Sequence, residues 1–401
     1  MIAVSRTFAF SRCVAAVLVA LLSAWSGRAE PPGPGKRSPT PPGIERIEAE
    51  AAGGRRTLEG TVAVEAVDGG LLVECLDGRL ELLPAGTVVS RSAAKAPAEE
   101  SPRDLGRRIL SELPPGFDLL LTKHYCVCFD TSRAYAQWCA ALFERLHDAF
   151  GNTWTQAGID MAGHERPLVV VIFADRQRYE GFAARDLGAA ADRVVGYYNL
   201  MSNRVTTYDL TGSATLMRPA GQSAARAGLD ILASPEASSL VATLVHEATH
   251  QMAFNGGLHR RLAPVPLWVS EGVATYFETP DLGSQRGWKG IGSVNKPRLE
   301  RFLARQEAGS LRRIVLDDEA FRDAEGALDA YARAWALTFF LMQTRKDAFV
   351  GYLKTIARKE PLAEDSAEVR LRDFTEAFGA APESLEEPLL RSLTRLRPSA
   401  R

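Results

Sequence analysis

Two short stretches constrain this chain of 401 residues more than any others: "LVHEATHQMAF" at 244–254 and "PLWVSEGVATYFETP" at 266–280. The first lies in a segment with clear helical boundaries. Ser234 is a fitting N-cap, Pro235 suits the first helical position, Glu236 complements the dipole, and Asn255-Gly256-Gly257 ends the run. At about 3.6 residues per turn, His246 and His250 stand one turn apart on one face, so two imidazole nitrogens can reach a single ion. Glu247 is offset by about 100° and stands beside such an ion instead of ligating it. The second stretch reads as a shorter helix opened by Pro266 and closed by Pro280. It sets Glu271, Thr275 and Glu278 along one face and Trp268, Val269 and Phe277 towards a core, with Gly272 and Ala274 small enough for another helix to come close. The connection "NGGLHRRLAPVP" is long enough to turn the chain back, which makes Glu271 the expected third donor.

Donors of His, His and Glu type leave one tetrahedral position open, the pattern of a catalytic zinc and not of a closed structural site. One Zn2+ per chain is therefore expected on His246, His250 and Glu271, and other divalent first-row ions suit the same donors. Water on such a metal has a pKa of about 7. Glu247 is the expected general base, taking a proton as the water attacks a carbonyl and passing it to the leaving amine. A His-Glu-x-x-His string also arises by coincidence on an ordinary amphipathic helix, so its weight here comes from the helical setting and the second glutamate.

Around this pair the chain divides cleanly. Arg6 and Arg12 precede an apolar run from Cys13 to Trp25 and then Gly27-Arg28-Ala29, so residues 1–29 read as a secretory signal peptide. An uncleaved N-terminal anchor is the competing reading. No later segment approaches the roughly 20 apolar residues of a membrane span, and the expectation is an exported protein, periplasmic, envelope or extracellular. Residues 30–43 form a Pro/Gly-rich linker, and 44–93 a small β module of three or four strands turned by Asp68-Gly69 and Asp77-Gly78. A linker and short helix occupy 94–112, and the main domain 113–398. In that domain strands come first, with "NRVTTYDL" alternating in polarity like an edge strand, and helices follow from Ser234. Such segregation argues an α+β fold. The stretch 211–233 reads as a lid over the cleft or as an unstructured segment. Lys and Arg total 48 against 49 acids, which leaves no basic field for nucleic acid. Cys75, Cys126, Cys128 and Cys139, which remain once Cys13 leaves with the signal, read as buried free thiols in preference to disulfides or a metal clip. His124, His147 and the loop residue His164 read as structural or surface residues, and Arg260 and Arg261 as solvated.

"HEATH" followed after twenty residues by "WVSEGVATYFE" resembles the gluzincin, or peptidase MA-like, zinc metallopeptidases. "TSRAYAQWCAALFERL", "GYYNL", "NRVTTYDLTG" and "HEATHQMAFNGGLHRR" look more closely like an uncharacterised family of exported bacterial proteins with a peptidase-like domain, over roughly residues 115–395. The resemblance implies a zincin-like domain, a small mixed sheet followed by helices. It implies His246, His250 and Glu271 as zinc ligands and Glu247 as the base. Tyr331 would hydrogen-bond the oxyanion, with His259 and Tyr276 as rivals, and a peptide or protein substrate would lie along the edge strand near 203–210. The Gly-Ala-Met-Glu-Asn motif of the aminopeptidase branch is not found, so an endopeptidase fits better. Thr275 stands where some gluzincins carry an aspartate that orients a ligand histidine, and Glu278 reads as a solvated helix-end charge. The competing class is a catalytically silent, peptidase-like binding or scaffold protein of the cell envelope.

Overall fold

The computed structural model describes residues 43–51, 53–95, 100–161, 163, 166–211, 235–279, 290–323 and 326–396, with side chains of the helix that begins at Pro235 described from residue 238. The stretch 1–29 expected to be a signal peptide, nearly all of the expected first linker, residues 212–233, Ser234, His164 and Pro280 lie outside the described residues.

The N-terminal module is a five-stranded antiparallel sheet in the order β4-β3-β2-β1-β5, from β1 (Glu45–Ala51), β2 (Gly54–Glu65), β3 (Leu71–Cys75), β4 (Leu80–Leu83) and β5 (Val88–Ala93). The expected three or four strands are five: the runs flanking the turn dipeptides correspond to β2, β3 and β4, and they do not pick out β1 or β5. The residues of β5 are almost all exposed, so it carries no alternation to read, and it is held by backbone pairing to β1. The hairpin at Asp77-Gly78 turns because Gly78 adopts φ +82°, which a side chain would resist, while Asp77 Oδ1 accepts from Arg79 N at 3.1 Å. The module's own core is small, chiefly Ile47, Ala49, Leu71, Val73, Cys75 and Leu83.

After α1 (Pro102–Glu112) a second sheet begins. Its strands β6 (Asp118–Leu121), β7 (Tyr125–Phe129), β8 (Leu168–Phe173), β9 (Gly196–Asn199) and β10 (Arg204–Tyr208) lie in the order β6-β7-β8-β10-β9. The inner three run parallel to one another, and β6 and β9 are antiparallel to their neighbours. β7 and β8 are buried on both faces, which is why they read as unbroken apolar runs. One face packs against α2 (Arg133–Gln156), and the other, carrying Cys126, Cys128, Val169 and Val171, packs with residues of α1 and of α3 (Arg176–Leu187). The four described cysteines are buried free thiols.

The expectation of an edge strand at 203–210 is overturned. β10 is paired on both sides, to β8 and β9, and among the described residues the edge strands of this sheet are β6 and β9. The threonines that gave β10 its polar alternation are buried; Thr207 donates its hydroxyl to Val195 O at 2.9 Å, so a polar side chain is satisfied inside the sheet.

Helices then take over: α4 (Pro235–Asn255), α5 (Leu267–Phe277), α6 (Lys296–Ala304), α7 (Ser310–Leu316), α8 (Glu319–Arg322), α9 (Ala327–Thr344), α10 (Lys346–Ala357), α11 (Ala367–Phe378) and α12 (Pro382–Thr394). The molecule is thus a mixed α+β protein with an all-β N-terminal region and a helical C-terminal region. α5 is buried along its whole length and crosses α9 closely at Gly272, where a Cβ would sit 2.1 Å from Thr338 Oγ1 and 3.0 Å from Ala334 O. Trp268, at its start, stacks on Tyr352 of α10 with ring centroids 5.5 Å apart. Among the described residues no helix is long and apolar enough to cross a membrane.

Candidate metal centre

α4 is apolar where it meets the sheet and α5, through Val241, Leu244, Val245, Ala248 and Met252, all buried. That packing fixes its rotation and turns His246 and His250 inward, towards α5. Both present Nε2 to the same point. The two nitrogens are 3.1 Å apart, His246 Nε2 lies 3.0 Å from Glu271 Oε2, and His250 Nε2 lies 3.5 Å from it. All three residues are buried. Zn–N bonds of 2.0–2.1 Å in a tetrahedron put neighbouring donors about 3.3 Å apart, so these separations are those of a ligand set. The expected donors therefore converge as the sequence spacing requires.

The chemistry of the cluster fits a cation. Glu271 is fully buried and its Oε1 has no hydrogen-bond partner among the described residues. A carboxylate oxygen left so costs about 1–3 kcal/mol or more, a penalty that a metal ion in contact with it would offset. Burial alone would raise the Glu271 carboxyl, yet the charges and hydrogen bonds of His250 and His246 hold it down at about 2. Burial pulls His246 towards the neutral form, but its bond to Glu271 and that residue's charge raise it overall.

Glu247 stands to one side, buried and outside the donor set. Desolvation raises its carboxyl above the usual range, against the opposing pull of His246 and His250. Its Oε2 accepts from the backbone N–H of Tyr198 at 2.8 Å. That N–H belongs to β9, so the edge strand and Glu247 are directly joined. This contact was not foreseen in the sequence. Nor was the polar brace behind it: Tyr198 donates its hydroxyl to Asn203 Oδ1 (2.7 Å), Asn203 and Asn255 exchange amide hydrogen bonds (2.8 and 2.7 Å), and Gln251 Nε2 donates to Val169 O and Asn203 O (2.9 and 3.0 Å). The one available signal was Gln251 itself, a large amide between His250 and the apolar Met252-Ala253-Phe254 run.

The other expected residues sort clearly. Tyr331, on α9, is buried with its ring 6.3 Å from that of His246 and with the Arg298 guanidinium 5.5 Å from its face. His259 Nδ1 donates to Leu258 O at 2.9 Å, and burial with the neighbouring His250 holds the ring neutral, its pKa at about 3. Nε2 of that tautomer is an acceptor and has no proton to give an oxyanion. Tyr276 has its hydroxyl against Gly292, whose Cβ would meet it at 2.5 Å. Thr275 orients no histidine: its Oγ1 donates to Glu271 O (2.7 Å) and Gly272 O (3.1 Å), the bond to the preceding turn that a helical threonine makes most readily. Glu278 is not a solvated charge, since Arg298 Nη2 reaches both its oxygens (3.0 and 3.1 Å) and the two side chains are 12–13% exposed. Arg261 is not solvated either, its side chain 9% exposed and bonding Gly78 O at 2.7 Å and Glu74 Oε1 at 3.1 Å, while Arg260 is exposed as expected and pairs with Glu360.

Residues 240–363 match a family described as a protein of unknown function, DUF1570. The matched segment holds His246, Glu247, His250, Glu271 and Tyr331 and leaves out both sheets. No curated protein matches the chain.

Proposed function

We propose that this protein is an exported zinc-dependent peptidase, acting as an endopeptidase on peptide or protein substrates. The observation that carries the reading is the convergence of His246 Nε2, His250 Nε2 and Glu271 Oε2 with a separate, desolvated carboxylate, Glu247, held beside them. Zinc bound by the three donors supplies Lewis acidity to a water and to the scissile carbonyl. The remaining work falls to the chain. Glu247, raised by burial towards neutrality, accepts the proton of the attacking water and returns it to the leaving nitrogen. Tyr331 is the proposed donor to the oxyanion. Among the described residues β9, and not 203–210, is the edge strand next to Glu247, so an extended substrate would add there by main-chain pairing.

A silent scaffold could keep the metal and so offset the burial of Glu271, but it would bury Glu247 at a desolvation cost with no return, which favours the enzymatic reading. The test is hydrolysis of an internally quenched peptide library by zinc-supplied protein. Glu247→Gln should lower turnover about 10²- to 10⁴-fold while zinc stays bound. Equal turnover in the variant, or none in the parent with zinc bound, refutes the mechanism.

A further inference from the structure

Outside this cluster a second group of nitrogen and oxygen donors forms where the turn between β6 and β7 meets α2. His124 sits in that turn, His147 and Asp148 are consecutive on α2, and one donor atom from each lies within 4.8 Å of the others. The two imidazoles stack, with centroids 3.8 Å apart and planes 19° from parallel. The way His124 is held separates this from a chance encounter. Glu144, one turn before His147 on the same helix, clasps the turn: its Oε1 accepts from Thr122 Oγ1 (2.6 Å) and His124 N (2.7 Å), and its Oε2 accepts from His124 Nδ1 (2.7 Å). A carboxylate only accepts, so Nδ1 carries the proton and, in the neutral ring, Nε2 presents its lone pair. An imidazole backed by a carboxylate on one nitrogen is the arrangement that fixes the tautomer and direction of ligating histidines.

We propose that His124, His147 and Asp148 form a second, solvent-reachable divalent-metal site, with Glu144 as the residue that positions His124. Two imidazoles and one carboxylate suit Zn2+ or Cu2+ better than the oxygen-seeking Ca2+ or Mg2+. The imidazoles are 19% and 18% exposed and Asp148 67%, so an ion can enter from solvent and keep water in its remaining positions. Donors on a tetrahedral ion stand about 3.3 Å apart. His147 Nδ1 and Asp148 Oδ1 stand 3.9 Å apart. Imidazole lone pairs lie in the ring planes, so binding requires the His147 ring to turn out of its stack on His124 while Glu144 keeps His124 in place. An ion there would tie the β6–β7 turn to α2, which packs on α4, the helix of His246 and His250.

Equilibrium dialysis of the full chain carrying Glu271→Gln, against Zn2+ and separately Cu2+, separates this site from the buried one. One equivalent of metal that weakens at least tenfold in Asp148→Asn and is lost in His147→Gln is the expected result. Circular dichroism reports whether His147→Gln remains folded; if it does not, the exposed Asp148→Asn decides alone. No such equivalent in the Glu271→Gln protein, or one whose affinity is unchanged by the Asp148 and His147 substitutions, overturns the proposal. Because the parent variant already lacks a buried donor, either outcome leaves the peptidase reading to be judged on its own tests.

Discussion

A carboxylate buried beside two histidines has to be held in place, and Glu247 is held by the N–H of Tyr198 at 2.8 Å. The residues around the cluster carry distinct consequences. Tyr331→Phe removes the hydroxyl from a ring whose centroid lies 6.3 Å from that of His246. If that hydroxyl stabilises the oxyanion, kcat should fall about 10²- to 10³-fold with KM little changed. A variant with full kcat would reassign Tyr331 to packing. Glu271 bears on stability as well as on chemistry. Its folded pKa, about 2, lies below the ordinary 4.5, so its contribution is full above about 4.5 and is lost as pH falls through about 2. Urea midpoints of metal-stripped protein should therefore decline across that window, and Glu271→Gln should flatten the decline. His246 acts with the opposite sign. Raised above its ordinary 6.5, it stabilises the metal-free protein below that value and ceases to as pH rises through the folded pKa. A bound metal needs the neutral imidazole and must displace that proton.

At the scale of elements, α5 and α9 have almost no room between them. Gly272→Val places a branched side chain where even a Cβ would lie 2.1 Å from Thr338 Oγ1 and 3.0 Å from the Ala334 carbonyl, so the helices must part. We expect a loss of about 1–3 kcal/mol in chemical denaturation and, because Glu271 is the adjacent residue, weaker zinc retention. Unchanged stability would contradict the crossing. α4 and α5 were legible in the sequence because a helical period, caps and paired donors all point the same way, and the small residues at 272 and 274 announced a close neighbour. The role of Thr275 was not legible. A hydroxyl facing the right side of a helix can bond its own preceding turn, and sequence spacing does not distinguish that from a bond to a neighbouring histidine. β10 misled for a related reason: alternation marks an edge only if the polar side chains need solvent, and Thr207 finds its partner inside.

The whole molecule joins two sheets through one hairpin. Arg261, from the loop after α4, reaches Gly78 O, Leu200 O and Glu74 Oε1; Arg108 Nη1 meets Asp77 Oδ2 at 2.7 Å; and Leu80 N donates to Met201 O at 2.8 Å. The division into a β module and a larger domain could be read from turn dipeptides and composition, but contacts between residues so far apart in sequence leave no local signal. Arg261 looked like one of two loop arginines. Arg261→Ala should leave the buried acceptors Gly78 O and Leu200 O without this donor and speed amide exchange in 75–80 and 198–203 relative to the helical core. Unaltered exchange there would mean that the hairpin is held by other contacts.

The central claim is that one zinc ion sits among His246, His250 and Glu271. It is tested most directly by an anomalous difference map at the zinc edge from crystals grown with zinc. A peak is expected about 2 Å from both Nε2 atoms and from a Glu271 carboxylate oxygen, absent in Glu271→Ala. No peak between those three side chains, with zinc supplied and the side chains ordered, would contradict it.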